Sequence, residues 1–139
     1  MSFSKINFWI EGDISTTRII SRLLNDVVGR GNCNTKLVRS LDWKTLTSGS
    51  NIFCRVSDPS YYWLPAYLKK NGIPYAYYLD DNFWKITGTG QLARYYQAPE
   101  VVRSLDEFVR GAEFVITHTQ VMADFITDRF PGVKCEVLP

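Results

Sequence analysis

Two periodic patterns of hydrophobic and polar positions alternate along the chain, and together they predict a parallel α/β fold. Short apolar runs of β type recur between stretches with the period of a helix. The β-type runs, which we assign as strands, are 5–10, 35–38, 51–56, 73–79, 113–117 and 133–138. Strands that alternate with helices are typical of βαβ units, in which helices cover both faces of a mostly parallel sheet. We therefore predict α/β architecture: a single Rossmann-like domain over residues 1–139, a three-layer sandwich with a mostly parallel six-stranded sheet.

The first predicted helix follows the first strand. Gly12 permits a sharp turn there, and Ser15 or Thr16 can cap the helix. Two adjacent apolar positions recur in each turn and form one stripe, and Gly29 or Gly31 ends the helix. The members of the stripe are Ile19, Ile20, Leu23, Leu24, Val27 and Val28.

Three further helices are predicted after later strands. One spans roughly 61–70, and a long connection without assigned elements, 82–98, follows the fourth strand. Pro99 opens the next helix, which Gly111 closes. Thr119 can cap the last helix through its hydroxyl.

Composition excludes several classes of protein. A formal charge of +2 over 139 residues gives no basic stripe, so nucleic acid is not expected as a partner. The cysteines Cys33, Cys54 and Cys135 are far apart and form no Cys-x-x-Cys pair, so neither a disulfide framework nor a zinc site is expected. The sequence has no apolar run long enough to span a membrane and no leader pattern. We expect a cytoplasmic chain, and a peripheral contact with the inner face of a membrane is compatible with this.

Polar residues follow the predicted strands where a ligand site is expected. Parallel strands deliver their carboxyl ends to one edge of the sheet, and ligands bind in the crevice along that edge. The residues at these positions are Glu11, Gly12, Asp13, Asp58, Asp80, Asp81, Thr117, His118 and Thr119. The alternative is that several of these side chains only form turns or cap helices, each contributing about 1 kcal/mol.

The acidic pair Asp80-Asp81 and the lone histidine His118 are the sharpest candidates. Adjacent carboxylates repel, so such pairs are usually held by backbone amides, by arginine or by a polyhydroxylated ligand. We expect no metal here, because neighbouring side chains on an extended strand point to opposite faces. His118 follows a buried strand, where it could accept a proton or donate to a sugar hydroxyl, or serve as a structural residue.

Aromatic residues are concentrated in two segments that could contact a ligand. Tyr61, Tyr62 and Trp63 begin the helix after the third strand. The long connection holds a second group, comprising Trp84, Lys85, Arg94, Tyr95 and Tyr96. Aromatic faces stack on sugars or lie against lipid, although aromatics are also common core residues. The phosphate-loop, dinucleotide and Gly-x-Ser-x-Gly motifs are absent from the sequence, which weakens NTPase, dehydrogenase and hydrolase interpretations.

Two passages resemble the bacterial group 1 glycosyltransferases, which have the GT-B fold. One is Phe53-Cys-Arg-Val-Ser-Asp-Pro with Leu68-Lys-Lys-Asn-Gly-Ile-Pro-Tyr-Ala-Tyr-Tyr-Leu-Asp-Asp-Asn-Phe-Trp. The other is Phe114-Val-Ile-Thr-His-Thr-Gln-Val-Met-Ala-Asp-Phe with Val133-Lys-Cys-Glu-Val-Leu-Pro, which is similar to the family's passage into its second domain. The resemblance covers most of the chain from Asn51 onward.

The resemblance implies an amino-terminal domain that holds the acceptor of a glycosyltransferase active in surface polysaccharide biosynthesis. The acceptor would be a saccharide or a lipid-linked molecule, and the donor a nucleotide-sugar held by a carboxy-terminal domain that this chain lacks. No cofactor is implied, and the chain alone should be nearly inactive. By position, Gly12 and Asp13 would face the donor, and His118 and Asp80 would be catalytic. The implied acceptor-binding residues are Asp58, Asp81, Trp84 and Arg94.

Two other interpretations remain open. A receiver-like signalling domain would use Asp58 as its phosphorylation site, with Glu11 and Asp13 helping to hold Mg²⁺. Such a domain would also want a lysine after the fifth strand, where this chain has Thr117-His118-Thr119. The second alternative is a Rossmann-like interaction module without any site.

Overall fold

All the predicted strands are present in the computed structural model, which describes residues 5–138. Each strand is four or five residues long, except the last, which has three. The strands are β1 (Ile6–Ile10), β2 (Cys33–Leu37), β3 (Ser50–Cys54), β4 (Tyr75–Tyr78), β5 (Phe114–Thr117) and β6 (Cys135–Val137).

The strands form one six-stranded sheet in the order β2-β1-β3-β4-β5-β6, and every neighbouring pair is parallel. The register brings Ile10 of β1 beside Leu37 of β2 and Cys54 of β3. All carboxyl ends therefore lie at one edge, and with helices on both faces the domain is a Rossmann-like three-layer sandwich. The prediction of a parallel α/β fold is confirmed.

Helices fill the connections between strands. They are α1 (Ser15–Val28), α2 (Trp43–Thr47), α3 (Leu64–Lys70), α4 (Gln91–Gln97), α5 (Pro99–Gly111) and α6 (Gln120–Arg129), with 3-10 turns at Val38–Ser40 and Pro59–Tyr61. The bounds predicted for α5 are confirmed, and so is the Thr119 cap, whose hydroxyl accepts from the Met122 amide at 3.1 Å. Helix α2 was not predicted, and α4 lies inside the connection that was predicted to lack helices. Both helices are short, with one buried residue in α2 and two in α4, so neither shows a clear helical period.

The two faces of the sheet are covered unequally. On one face, α3, α5 and α6 pack on a large aromatic core in which Phe108 stacks on Tyr77 at 5.3 Å and contacts Phe53 at 5.9 Å. On the other face, α1 contributes Ile20 and Leu24 to a smaller core. The larger core includes Phe53 of β3 and Tyr75 and Tyr77 of β4, whereas Tyr78 belongs to the smaller core.

The start of α1 differs from the prediction. Neither Ser15 nor Thr16 caps it; Ile14 occupies the cap position, and its amide donates to the Thr17 hydroxyl at 3.0 Å. Gly12 does not have a positive φ, and an added Cβ there would meet nothing within 4 Å, so the turn does not require glycine. Gly29 ends the helix as predicted, with a φ of 99°.

The apolar stripe of α1 is only partly buried. Ile20 and Leu24 face the sheet, whereas Ile19 and Val27 are exposed. The prediction of one continuous stripe against the core therefore holds for only part of the residues. Within residues 5–138, no helix has both the length and the apolar character needed to cross a membrane.

Candidate functional site at the carboxyl edge

The order of the strands places a crevice between β1 and β3. The chain passes from β1 to β2 on one side and then returns to β3 on the other, so the loops after β1 and β3 diverge. A cavity of about 280 Å³ lies between these loops and α4. We call it the switch cleft; its walls include Glu11, Arg55, Ser57, Leu92, Tyr95 and Tyr96.

Glu11 brings a carboxylate to the wall of the switch cleft. It follows β1 directly and accepts hydrogen bonds from the backbone amides of Ser57 and, at 3.2 Å, of Asp58. Burial raises the pKa of Glu11, and the negative charge of Asp58 raises it further. The hydrogen bonds from the two amides and the positive charge of Arg55 lower this pKa, but by less than the total increase. A raised pKa makes a carboxylate a stronger base, which suits it to exchanging a proton with a ligand hydroxyl.

Arg55 adopts a strained backbone conformation next to Glu11. Its φ of 58° lies in the left-handed region, which costs a residue with a side chain about 1 to 2 kcal/mol. The amide of Arg55 still donates to the Tyr78 carbonyl at 3.1 Å, so the chain turns sharply without losing its bond to β4. Strained residues of this kind are concentrated at binding and active sites.

The side chain of Arg55 is held from two sides. Its guanidinium lies 4.9 Å from the centre of the Phe83 ring, and its Nε is 3.3 Å from Oδ1 of Asp80. The two charged side chains are mostly buried, 19% and 16% exposed. Arg55 is therefore fixed before any ligand arrives, which favours recognition of hydroxyl or anionic groups.

Asp80 contacts Arg55 but is not itself part of the cleft wall. The separation of Arg55 Nε and Asp80 Oδ1 is that of an ion pair. However, no N–H is aligned with Oδ1, which therefore has no hydrogen-bond donor within residues 5–138. The distance and the missing hydrogen bond are compatible, because charge attraction does not require alignment. Asp81 is exposed and accepts a hydrogen bond from the Asn82 amide at 2.7 Å. The two carboxylates therefore have different partners, but both residues lie in a bend after β4 and not on the extended strand that the sequence predicted.

Tyrosines from α4 close the cleft opposite the strands. The Tyr95 hydroxyl lies 2.9 Å from that of Ser57, and burial raises the pKa of Tyr95 to about 12. Tyr96 stacks on Phe83 at 4.6 Å. The phenol of Tyr95 therefore stays neutral near pH 7 and can both donate and accept hydrogen bonds.

His118 lies outside the switch cleft with both ring nitrogens paired. Its Nδ1 is 2.8 Å from the Leu138 carbonyl, which can only accept, so Nδ1 carries a proton. Its Nε2 is 2.9 Å from the Tyr78 hydroxyl and accepts from it when the ring is neutral. These contacts match the structural alternative. The catalytic role of His118 stays a prediction.

The structure places three residues that were predicted at this edge in different surroundings: Gly12, Asp13 and Asp58. Gly12 lines the switch cleft. Asp13 is exposed and pairs with Arg18 at 2.9 Å, and the hydrogen bond from Arg18 lowers its pKa. The Asp58 carboxylate accepts from the Ser60 amide at 2.9 Å and caps the 3-10 turn, so only its backbone reaches Glu11.

The aromatic and basic candidates of the long connection lie elsewhere. Trp84 donates through Nε1 to Asp106 at 2.8 Å and packs on Phe125 and Phe130, which anchors the connection to α5 and α6. Arg94 is exposed on α4 and is not part of the cleft wall. Their roles in acceptor binding stay predictions.

The receiver-like alternative gains no support from the geometry. Within residues 5–138, no three His, Cys, Asp or Glu side chains are grouped so that they could hold a metal ion. Glu11 faces backbone amides, while Asp13 and Asp58 face Arg18 and Ser60. The three acids of that hypothesis therefore do not converge.

Sequence reasoning missed Arg55, the one charged cleft residue it did not name, as well as Ser57 and Leu92. Arg55 is the single charged residue at the end of an apolar strand, a position that the pattern alone does not distinguish from an ordinary strand terminus. Tyr95 and Tyr96 were recognised as aromatic candidates, and the structure brings both to the cleft.

A larger cavity of about 650 Å³ lies at the amino edge of the sheet. Its lining is mainly apolar, with Trp43, Ile52, Ile73 and Phe114 among its walls, and Glu113 is its one ionisable carboxylate among the described residues. It brings no acid and base together. We therefore place the candidate chemistry at the smaller switch cleft, since polar groups and strain mark a site better than volume does.

The chain matches no protein-family model, and comparison with curated proteins and with solved structures gives no match. The resemblance to group 1 glycosyltransferases thus stays a prediction.

Proposed function

We propose that this chain is the acceptor-side domain of a glycosyltransferase and that the switch cleft binds the acceptor. The acceptor is a saccharide or a lipid-linked molecule of surface polysaccharide biosynthesis. A second α/β domain holds the nucleotide-sugar donor, and the complete enzyme works in the cytoplasm at the inner face of a membrane.

One observation carries this proposal: a half-buried carboxylate and a fixed arginine share the wall of a cavity at the topological switch point. Glu11 can accept hydrogen bonds from sugar hydroxyls, and Arg55 can donate to them. Tyr95 and Tyr96 add aromatic faces and a neutral phenol to the same wall. This combination suits a polyhydroxylated ligand.

The proposed chemistry places proton transfer at Glu11. In glycosyl transfer, an acceptor hydroxyl attacks the anomeric carbon of the donor, the bond to the nucleotide phosphate breaks, and the hydroxyl proton must leave. The Glu11 carboxylate takes that proton, in place of His118, which the sequence suggested as a proton acceptor. Asp80 contributes by holding Arg55 in place.

Amide chemical-shift mapping with a panel of neutral and acidic oligosaccharides tests the proposal. We expect shifts at Gly12, Arg55, Ser57 and Tyr95, and a loss of about tenfold in affinity for Arg55→Ala, since hydrogen bonds to charged groups contribute about 1.5 to 3 kcal/mol. Arg94→Ala, an exposed arginine beside the cleft, is the matched control.

Two results would contradict the proposal. One is that saccharides shift no cleft amide or that Arg94→Ala weakens binding as much as Arg55→Ala. The other is labelling of Asp58 by acetyl phosphate with Mg²⁺, which supports the receiver-like alternative. Asp58→Asn keeps the capping oxygen and would abolish such labelling.

A further inference from the structure

Three lysines from separate parts of the chain line a depression beside the edge strand β2. Lys5 precedes β1, Lys36 lies on β2 and Lys44 lies on α2, and the depression between them has a volume of about 620 Å³. Its other walls are Asp42 and four neutral polar residues: two asparagines, a threonine and a serine. We call this depression the lysine pocket. The described residues supply no apolar or aromatic side chain to its walls, so a ligand there would be recognised by charge and hydrogen bonds.

The pleat of β2 directs polar side chains into the lysine pocket. Cys33 of β2 belongs to the core beneath α1, and side chains alternate between the two faces along a strand. Asn34 and Lys36 therefore project from the opposite face. A lysine on an edge strand also discourages pairing with another sheet. That role concerns Lys36 alone, because Lys5 and Lys44 lie outside the edge strand.

The positive charge of the lysine pocket is not neutralised by ion pairs. None of the ion pairs formed within residues 5–138 includes a lysine. Asp42 is the one acid among the described walls, and its carboxylate already accepts from the Thr45 amide at 2.8 Å and from the Thr45 hydroxyl at 3.1 Å. Three lysines and one aspartate give the pocket a net charge of +2. The pocket thus holds an excess of cations as large as that of the whole chain, which is also +2.

One further donor in the lysine pocket lacks a partner in the protein. The side chain of Asn34 is half-buried and makes no hydrogen bond within the part of the chain that the structure describes. Asn7, by contrast, donates through Nδ2 to the Thr45 carbonyl at 2.8 Å, which ties α2 to β1. The backbone that carries Lys44 is therefore fixed against the sheet, and this lowers the entropy cost of binding a ligand.

We infer that the lysine pocket binds a small anion that carries two or more phosphate groups. Lysine is a compact cation that binds phosphate as a point charge. A ligand with several phosphate groups can face all three lysines at once, whereas a single phosphate or carboxylate reaches fewer of them. Single-stranded nucleic acid is a poorer fit, because its bases stack on aromatic side chains, which the described walls lack.

The lysine pocket lies at the opposite end of β1 from the switch cleft. Lys5 and Glu11 are six residues apart, which corresponds to about 20 Å along an extended strand. A ligand in the pocket therefore does not reach the cleft. The inference is independent of the function proposed above, and its test needs no saccharide.

Isothermal titration calorimetry with sodium tripolyphosphate tests the inference. We expect one saturable site, amide chemical-shift changes at Lys36, Lys44 and Thr45, and clearly weaker binding of orthophosphate. Lys36→Gln and Lys44→Gln should each weaken binding about fivefold, the upper range for an exposed charge pair. Lys70→Gln is the matched control, because Lys70 is an exposed lysine on α3 outside the pocket, and it should leave the affinity unchanged.

Asp42→Asn provides a test in the opposite direction. The hydrogen bonds from Thr45 lower the pKa of Asp42, and the positive charges of Lys36 and Lys44 lower it further, so this carboxylate lies within reach of both lysines. Asparagine keeps the cap of α2 and removes the negative charge, so tripolyphosphate should bind about threefold more tightly. Asp26→Asn on α1 changes the net charge by the same amount outside the pocket and should leave the affinity unchanged.

Four results would overturn the inference. They are the absence of saturable binding, orthophosphate binding as tight as that of tripolyphosphate, equal losses for Lys70→Gln and the pocket lysine variants, and equal gains for the two aspartate variants. Tighter binding of duplex DNA or of phosphatidylserine vesicles through the same lysines would overturn the assignment to a small anion. Circular dichroism of each variant separates loss of binding from loss of fold.

Discussion

The two edges of the sheet use buried polar groups in opposite ways. At the amino edge, Asn51 is buried, and its Oδ1 accepts from Trp9 Nε1 at 2.9 Å and from Asn7 Nδ2 at 3.2 Å. Its Nδ2 donates to the Leu46 carbonyl at 2.9 Å. At the carboxyl edge, Glu11 and Arg55 line a cavity that can admit a ligand.

The difference between the edges shows that polarity alone does not identify a site. A buried polar network whose members satisfy one another rigidifies the fold, while a polar group aimed into a cavity retains hydrogen-bonding capacity for a ligand. The amino edge therefore supports stability, and we expect the carboxyl edge to support binding.

Asn51→Ala should have the largest effect on stability. The substitution leaves the Trp9 indole N–H and the Leu46 carbonyl without their partner, and each unpaired buried group costs about 1 to 3 kcal/mol. We expect a loss of about 3 kcal/mol in the free energy of unfolding, measured by urea denaturation.

The control for this prediction is Asn34→Ala. Asn34 lies on β2 at the same end of the sheet, and its side chain makes no hydrogen bond within the part of the chain that the structure describes. Its replacement should cost less than about 0.5 kcal/mol. Equal losses for the two variants would remove the basis for calling the amino edge a stability network.

A comparison of Arg55→Gly with Arg55→Ala should isolate the strain at the carboxyl edge. Both variants lose the contact with Asp80, so both should be less stable than the native chain. Glycine adopts a φ of 58° freely and alanine does not, so Arg55→Gly should be more stable than Arg55→Ala by about 1 kcal/mol. Urea denaturation measures the difference. Equal stabilities would mean that the left-handed backbone stores no strain.

The sequence predicted the central strands well because burial on both faces leaves a strong apolar pattern there. All the strands were identified, since their apolar runs are short and bounded by turn residues. The limits of α5 followed from Pro99 and Gly111, whose backbone preferences act locally. The short helices α2 and α4 were not assigned, because few of their residues are buried and tertiary contacts decide their conformation.

The candidate site was predicted at the level of the sheet edge but not of its side chains. The topology rule placed polar residues at the carboxyl ends, and the structure confirms that edge for Glu11 and Gly12. The topology rule could not predict that Asp13 pairs with Arg18 or that Asp58 caps a turn. These choices depend on side-chain partners distant in space, and the left-handed φ of Arg55 has no sequence signal.

Glu11→Gln should change the pH dependence of stability at the carboxyl edge, which is the smallest effect expected here. Burial raises the pKa of Glu11 above the unfolded value of 4.5, so between these pKa values the folded chain holds a proton that the unfolded chain has lost. The stabilisation that Glu11 contributes is therefore fully present below pH 4.5. It is lost as the pH rises through the pKa that Glu11 has in the folded chain. Glutamine does not titrate and can still accept from the Ser57 and Asp58 amides.

The free energy of unfolding of Glu11→Gln minus that of the native chain should thus rise with pH and level off above the folded pKa. Taking this difference cancels the opposite contribution of Asp42, whose pKa is lowered by the Thr45 amide and which gains stability above its unfolded pKa. Urea denaturation at a series of pH values between acidic and neutral provides the curve. A flat difference curve would mean that Glu11 is as well solvated in the folded chain as in the unfolded one. It would then lack the raised pKa that distinguishes the switch cleft from the satisfied network at the amino edge.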